Sequence, residues 1–523
     1  MFADWHEIDA LSAPTCQRQR APLLDRCHQA VLIKGESAAI TSNTGGSGSG
    51  GAIEVSAPIV TITTGGSIQA VAGHDGTAIT GGSGTGGLMK IQARQLQLTE
   101  KGYIITNSLG EGDAGSIVLI LAETLQVRGA GSGITASTQG SGQGGNLEIQ
   151  ARQLQVTEKG FIITNSLGEG DAGSLVLILA ETLQVRGDGS AIVASTHGSG
   201  QGGNLEIQAR QLQLTERSSL SASSFGEGDA GSLVVILGET LQVRGGSRII
   251  ASAQGSGQGG NVEIQARQLE LTEGGGISTR SVGQGNAGNL VLVLGETLQM
   301  QDGSIRTSAT SADGGNIEIT VPNYFYLIDS EITTSVGSGE GGGGNMTLQP
   351  EFIVLDGSQI IAQAYGGPGG NINITTTGIY NFTGEPVEEV INASSKYGVD
   401  GIVVVNSPDK NVFEDIVILP AAFFDASTLL ESPCEAVVEN KSQLVVIPYV
   451  GRRSSPSDWK ASNLPGRFFD KPAQTSRAKG RQTGGYVEKT PGKVSVKPVI
   501  MLASGCKREG KVANQDVVPP QLF

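Results

Sequence analysis

One stretch of this chain is written twice. Residues 92–129, QARQLQLTEKGYIITNSLGEGDAGSIVLILAETLQVRG, return at 150–187 with three changes in 38 residues, and diverged copies begin at Gln208 and Gln265, a long period of 58, 58 and 57. A unit repeated at fixed spacing folds as an array in which each copy buries its apolar face against its neighbours. That constraint outweighs everything else in the chain.

Each long unit divides again. An apolar–Gln–apolar motif marks both halves, and its first apolar residue falls at Leu96, Leu125, Leu154, Leu183, Leu212, Leu241, Leu269 and Leu298, in steps of 29 with one of 28. Phe325 and Phe352 extend the column at steps of 27. A second marker, a small residue and then glycine before an apolar strand, runs from Gly51 and Gly87 through Gly145 and Gly203 to Gly344 and Gly370. Within one coil the apolar residues alternate: Leu147, Ile149 and Ala151, then Leu154 and Val156, then Ile163. Period-two alternation marks half-buried strands. The parity flips between Ala151 and Leu154, so Arg152 and Gln153 form a corner, and a Gly/Ser-rich loop such as 140–145 closes the coil. Three short strands and three corners per repeat predict an all-β chain, a parallel β-helix (solenoid) of about twelve coils of ~29 residues, stacked at about 4.8 Å.

Composition removes the competitors. Glycine supplies 79 of 523 residues, yet never at every third position, so this is no collagen. A leucine-rich repeat needs a helical segment in each copy, and no 3.6-residue period is present. Tandem calcium-binding nonapeptides need their motif every nine residues, whereas GEGDAG returns only every 58. No run of about 18 apolar residues exists to span a membrane as a helix. The net charge is −15. Residues 451–523 hold 14 Lys/Arg against 5 Asp/Glu, a surplus of +9 that leaves −24 for residues 1–450. An acidic body excludes nucleic acid as the partner of the main domain. Residues 1–34 read as a poorly structured leader, 35–377 as the β-helix repeats, 378–450 as divergent strands and a cap, and 451–523, with seven prolines, as a basic disordered tail. Cys16, Cys27, Cys434 and Cys506 lie outside the repeats, and sequence leaves their redox state open.

Chemistry is sparse. The acidic pairs Glu111/Asp113, Glu169/Asp171 and Glu227/Asp229 recur in every second coil, about 9.6 Å apart by the strand spacing. That is too far to share one ion with ligands at ~2.4 Å, so they are expected in solvated loops. His6, His28, His74 and His197 each stand alone, and the GxGxxG-like strings open no helix. A Thr-rich stretch at 59–64 is not sustained as a flat ice-binding face. No catalytic, cofactor-binding or metal-ligating set is therefore expected, and no cofactor. Two structural ladders are. Asn261, Asn289, Asn316, Asn345 and Asn371 follow the coil-start glycine in five consecutive coils, which predicts side-chain amides bonding along the stack. Two residues before each column leucine the charge alternates: Arg94, Glu123, Arg152, Glu181, Arg210, Glu239, Arg267, Glu296. Stacking in register predicts one continuous outward ladder, each cation between two anions, beside a polar column from Gln97 to Gln299.

The Gly-Gly-Asn-apolar coils, the segment 391–409 (INASSKYGVDGIVVVNSPD), Pro433-Cys434 and the segment 442–456 (SQLVVIPYVGRRSSP) together resemble the C-terminal part of filamentous-haemagglutinin-like exoproteins, surface proteins of cyanobacteria and related bacteria often labelled S-layer family proteins. The resemblance covers roughly residues 35–459, and its end segment is the specific part. It implies a right-handed β-helix, export by two-partner secretion through an outer-membrane pore, and an extracellular or cell-surface location. The family's secretion domain and signal peptide do not precede Gly35, so the chain is expected to be a C-terminal fragment or the product of a gene without that module. The function expected is a non-catalytic structural or adhesive rod, its partners surface glycans or a host or neighbouring cell. The alternative is a carbohydrate-active β-helix enzyme, a polysaccharide lyase or hydrolase, which needs acidic side chains converging on one groove.

Overall fold

A computed structural model describes residues 30–73 and 82–407. They form a parallel β-solenoid of thirteen turns, with 17 strands in one sheet and 13 in the other. One turn shows the plan. The strand Leu147–Thr157 buries Leu147, Ile149 and Ala151, bends at Arg152, and buries Leu154 and Val156. A tight turn leads to Phe161–Ser166 in the second sheet, and a glycine-rich loop returns the chain to Leu175–Arg186, one rung on. Leu154 pairs with Leu125 below and Leu183 above. Every column leucine from Leu96 to Leu298, and Phe325 after them, is fully buried. Each such side chain contributes about 1.5–3 kcal/mol by leaving water, so a single seam running the length of the stack supplies much of the driving force.

The corner differs from the expectation of three separate strands. In most turns the ladder runs through it, giving one bent strand of 11 or 12 residues such as Leu147–Thr157 and Leu175–Arg186. Where a strand of 11 residues pairs with one of 12, a bulge absorbs the difference. Register shifts between Leu179 and Thr182 against Ala151 and Gln153, so Ala180 and Glu181 face the single residue Arg152. An extra residue on one strand turns it sharply without ending the pairing. The strands separate at the corner in turns such as Leu205–Ala209 with Gln211–Thr215, and Leu233–Leu237 with Thr240–Arg244.

The seam corrects one assignment. Phe325 pairs with Leu298 as the spacing requires, but it then pairs with Ile353, not Phe352. Phe352 is in register with the outward Tyr324 and stands on the solvent face. From Phe325 a step of 27 lands on Phe352 and one of 28 on Ile353; the two large apolar residues are adjacent, and only the pairing separates them.

The marker glycines have a steric reason. In the loop column Gly115, Gly145, Gly173, Gly203, Gly231 and Gly260, a Cβ on any member from Gly145 onward would overlap the carbonyl oxygen of the glycine one rung below. Backbone lies directly on backbone, and only hydrogen fits between. Buried threonines tie these loops to the second sheet: Thr106 Oγ1 donates to the Gly87 carbonyl at 2.7 Å and Thr164 Oγ1 to the Gly173 carbonyl at 2.7 Å.

The solenoid is longer at both ends than 35–377. Val31–Lys34, placed in the leader by sequence, pairs with Ile53–Thr63 as the first strand. Gly378–Asn381, Ile391–Asn392 and Val403–Asn406, assigned to the divergent cap, continue both sheets in register. Their irregularity is an insertion carrying the one-turn helix Val387–Val390, which packs Val390 into the core. The disordered-tail assignment, the rest of the cap and most of the leader lie outside the described residues, as do all four cysteines and His6, His28 and His74.

Candidate functional site

The polar side chains that repeat along the solenoid are the features most open to function, and their geometry shows what each does. The corner charges form pairs, not a continuous ladder. Arg94 Nε is 3.5 Å from Glu123 Oε1, Arg152 Nη2 2.6 Å from Glu181 Oε1, and Arg210 Nη2 2.6 Å from Glu239 Oε1; Arg267 pairs with Glu296 in the same way. Among the described residues no ion pair joins Glu123 to Arg152, Glu181 to Arg210, or Glu239 to Arg267.

The reason is the neighbouring glutamine. Gln95, Gln153, Gln211 and Gln268 donate to Oε2 of Glu123, Glu181, Glu239 and Glu296, at 2.7, 2.8, 2.6 and 2.6 Å. Both oxygens of each glutamate are thus engaged by the Arg-Gln pair of the rung below, which holds the carboxylate toward that rung rather than toward the arginine above. The Arg152 hydrogen bond, then that from Gln153, holds the Glu181 carboxyl below its ordinary range; Arg210 and Gln211 do the same for Glu239. For Glu296 the Gln268 bond leads and Arg267 follows. Attraction from the arginine above is the weakest contribution at Glu181. The sequence displayed the charges and put Gln153 at the corner beside Arg152, but not this division, because it did not show that the glutamine amide reaches the same carboxylate as the arginine.

The five asparagines line one edge. The Oδ1 of Asn261 accepts the Asn289 backbone N–H at 2.9 Å, Asn289 that of Asn316 at 3.0 Å, Asn316 that of Asn345 at 2.9 Å, and Asn345 that of Asn371 at 2.9 Å. Asn371 continues to Ile402 at 3.0 Å. Each bond therefore runs from side chain to the next rung's backbone, rather than from amide to amide. Lower in the stack Asn146 and Asn204 accept from Ser174 and Ser232, so the column begins where asparagine still alternates with serine.

The GEGDAG carboxylates have a related task that sequence reading missed. Asp113, Asp171 and Asp229 each accept, at 2.7 Å, the backbone N–H of Gln143, Gln201 and Gln258 one rung above. Asn286 and Asp313 occupy the same loop position higher up and do the same. The available signal was the constant offset of 29 or 30 residues from Asp to Gln. Among the described residues no group of three His, Cys, Asp or Glu side chains is placed to hold a metal ion. His197 stacks on Phe225, ring centroids 4.7 Å apart.

Compared with family models, curated proteins and solved structures, the chain finds no match in any of the three.

Proposed function

We propose that this chain is a non-catalytic structural and adhesive rod of the filamentous-haemagglutinin-like type, working at the cell surface or outside the cell. One observation carries the reading. The repeated polar side chains are spent on holding one rung to the next, Asp171 on Gln201, Asn316 on Asn345, Arg152 and Gln153 on Glu181. Such bonds add stiffness with each turn and ask nothing of a ligand. Chemistry needs one constellation held against one substrate, whereas these groups repeat along the stack. The resemblance of the coils and of residues 391–409 to haemagglutinin-like exoproteins supports the surface location and export through an outer-membrane pore.

The test is made on cells that produce the chain. Brief protease treatment of intact cells should remove it, and deleting its gene should lower attachment to surfaces or to neighbouring cells. A chain wholly protected inside intact cells, or cleavage of pectin or alginate lost on changing one acidic pair, overturns the proposal.

A further inference from the structure

The outer face of the first sheet changes its composition abruptly near one end. Along its second half the outward positions are Thr124, Gln126 and Arg128 in one turn, Gln153, Gln155 and Thr157 in the next, and the pattern is kept up to Thr297 and Gln299. Then, in register, Thr297 gives way to Tyr324 and Phe352, and Gln299 to Tyr326, Val354 and Tyr380. Phe382 follows on the last of these rungs. The interior column beneath continues as Leu298, Phe325, Ile353 and Ile379, all buried. Packing therefore demands no change, and the switch is confined to the solvent side.

The chain has only 22 Phe, Tyr and Trp in 523 residues, and five of them stand on this face over three rungs. Tyr324 is 41 % exposed, Tyr326 37 % and Phe382 66 %; the Phe352 and Tyr380 rings sit 6.1 Å apart. Large aromatic side chains clustered on a flat solvent face mark a contact surface.

We propose that this aromatic face binds an uncharged polysaccharide, a proposal that rests on the adhesive reading above. The axial C–H face of a pyranose is apolar and stacks on an aromatic ring, while its hydroxyl rim seeks neutral hydrogen-bonding groups. The tyrosine hydroxyls, Asn323 and Gln299 supply those groups at the edge of the face. Three rungs span about 10 Å, the length of about two or three sugar units. Charge selects against the other candidates. The strands Ile317–Ile328, Met346–Asp356 and Gly378–Asn381 contain no Lys or Arg, whereas Glu351 and Asp356 border the rings. Nucleic acid, anionic lipid and acidic polysaccharide are repelled. A two-fold contact between copies would gather Glu351 and Asp356 of both chains, and no Lys or Arg of these strands, into one interface.

The experiment uses the full chain, sedimented with cellulose, chitin or cross-linked polygalacturonate. The comparison is the quadruple variant Y324T/Y326Q/F352T/Y380Q, which puts on the outer face what Thr297 and Gln299 already put on the rung below and so leaves the interior intact. The wild type should be retained by cellulose or chitin and not by polygalacturonate, and the variant should lose at least tenfold in bound fraction at an unchanged melting temperature. If the variant melts early, titration of wild type and Tyr326→Gln with a soluble cello-oligosaccharide, read by tyrosine fluorescence, replaces it: a saturable change in the wild type alone supports the site. Equal retention of both proteins, no retention of the wild type, or a concentration-dependent dimer that the variant abolishes overturns it. Cells producing the variant that attach as well as wild-type cells overturn the glycan site and leave the adhesive role standing. Attachment unchanged by removing the whole chain overturns the role itself.

Discussion

Arg152 and Glu181 meet across one rung at 2.6 Å, and Glu181 takes the Gln153 amide on its other oxygen at 2.8 Å. This three-residue clamp recurs at Arg210, Gln211 and Glu239, so the corner of the solenoid is fastened two rungs at a time. The 58-residue sequence unit is the length of one fastened pair of rungs.

The clamp predicts a pH and salt response. Glu181 and Glu239 have folded-state pKa values below the unfolded ones. Their contribution is fully present above the unfolded value, about 4.3, and is lost as pH falls through the lower, folded value. Thermal melts should be flat from pH 7 to about pH 5.5 and fall on further acidification. Glu181→Gln should flatten part of that acid limb, and its effect at pH 7 should shrink with added salt, because the pair is solvent-exposed.

Asn316 offers a direct test of the asparagine edge. Asn316→Ala removes the acceptor of the Asn345 N–H and should cost about 0.5–1.5 kcal/mol. Asn316→Asp keeps an acceptor in place and should cost less. Urea melts give the size, and faster hydrogen exchange at the Asn345 amide gives the location.

Glycine at the stacked loops is a steric demand, and a matched pair of variants checks it. Gly203→Ala places a methyl group on the Gly173 carbonyl and should destabilise by about 1–3 kcal/mol. Gly46→Ala meets nothing within 4 Å and should fall within about 0.5 kcal/mol of wild type.

Thr196 predicts an opposite sign. Its Oγ1 is buried and has no hydrogen-bond partner, like Ser166 Oγ and Ser224 Oγ in the adjacent turns. Thr196→Val replaces that hydroxyl with a methyl of similar volume and should be neutral or stabilising. In contrast, Leu212→Ala opens the seam and should cost about 2–5 kcal/mol. Thermal melts of the two variants should move in opposite directions or leave only the second shifted.

The sequence by itself determined the solenoid, its parallel sheets, the interior seam and the position of the corner. Those follow from a period-two pattern repeated at fixed length, which buries a continuous core only when the copies stack. It also displayed every charge and asparagine of the corner columns, since residues at equal offsets must share an edge once stacking is assumed. Tertiary structure decided the rest. Pairing showed that Phe325 continues the seam to Ile353 while Phe352 turns outward, a one-residue matter that reverses a side chain's face. Geometry at the bulge let Gln153 reach Glu181 and so divided a continuous ladder into pairs. Only register brought Tyr324, Phe352 and Tyr380, spread over nearly sixty residues of chain, onto neighbouring rungs of one surface. Periodicity fixes which residues recur; which atoms meet depends on one-residue offsets and side-chain reach that a periodic pattern does not carry.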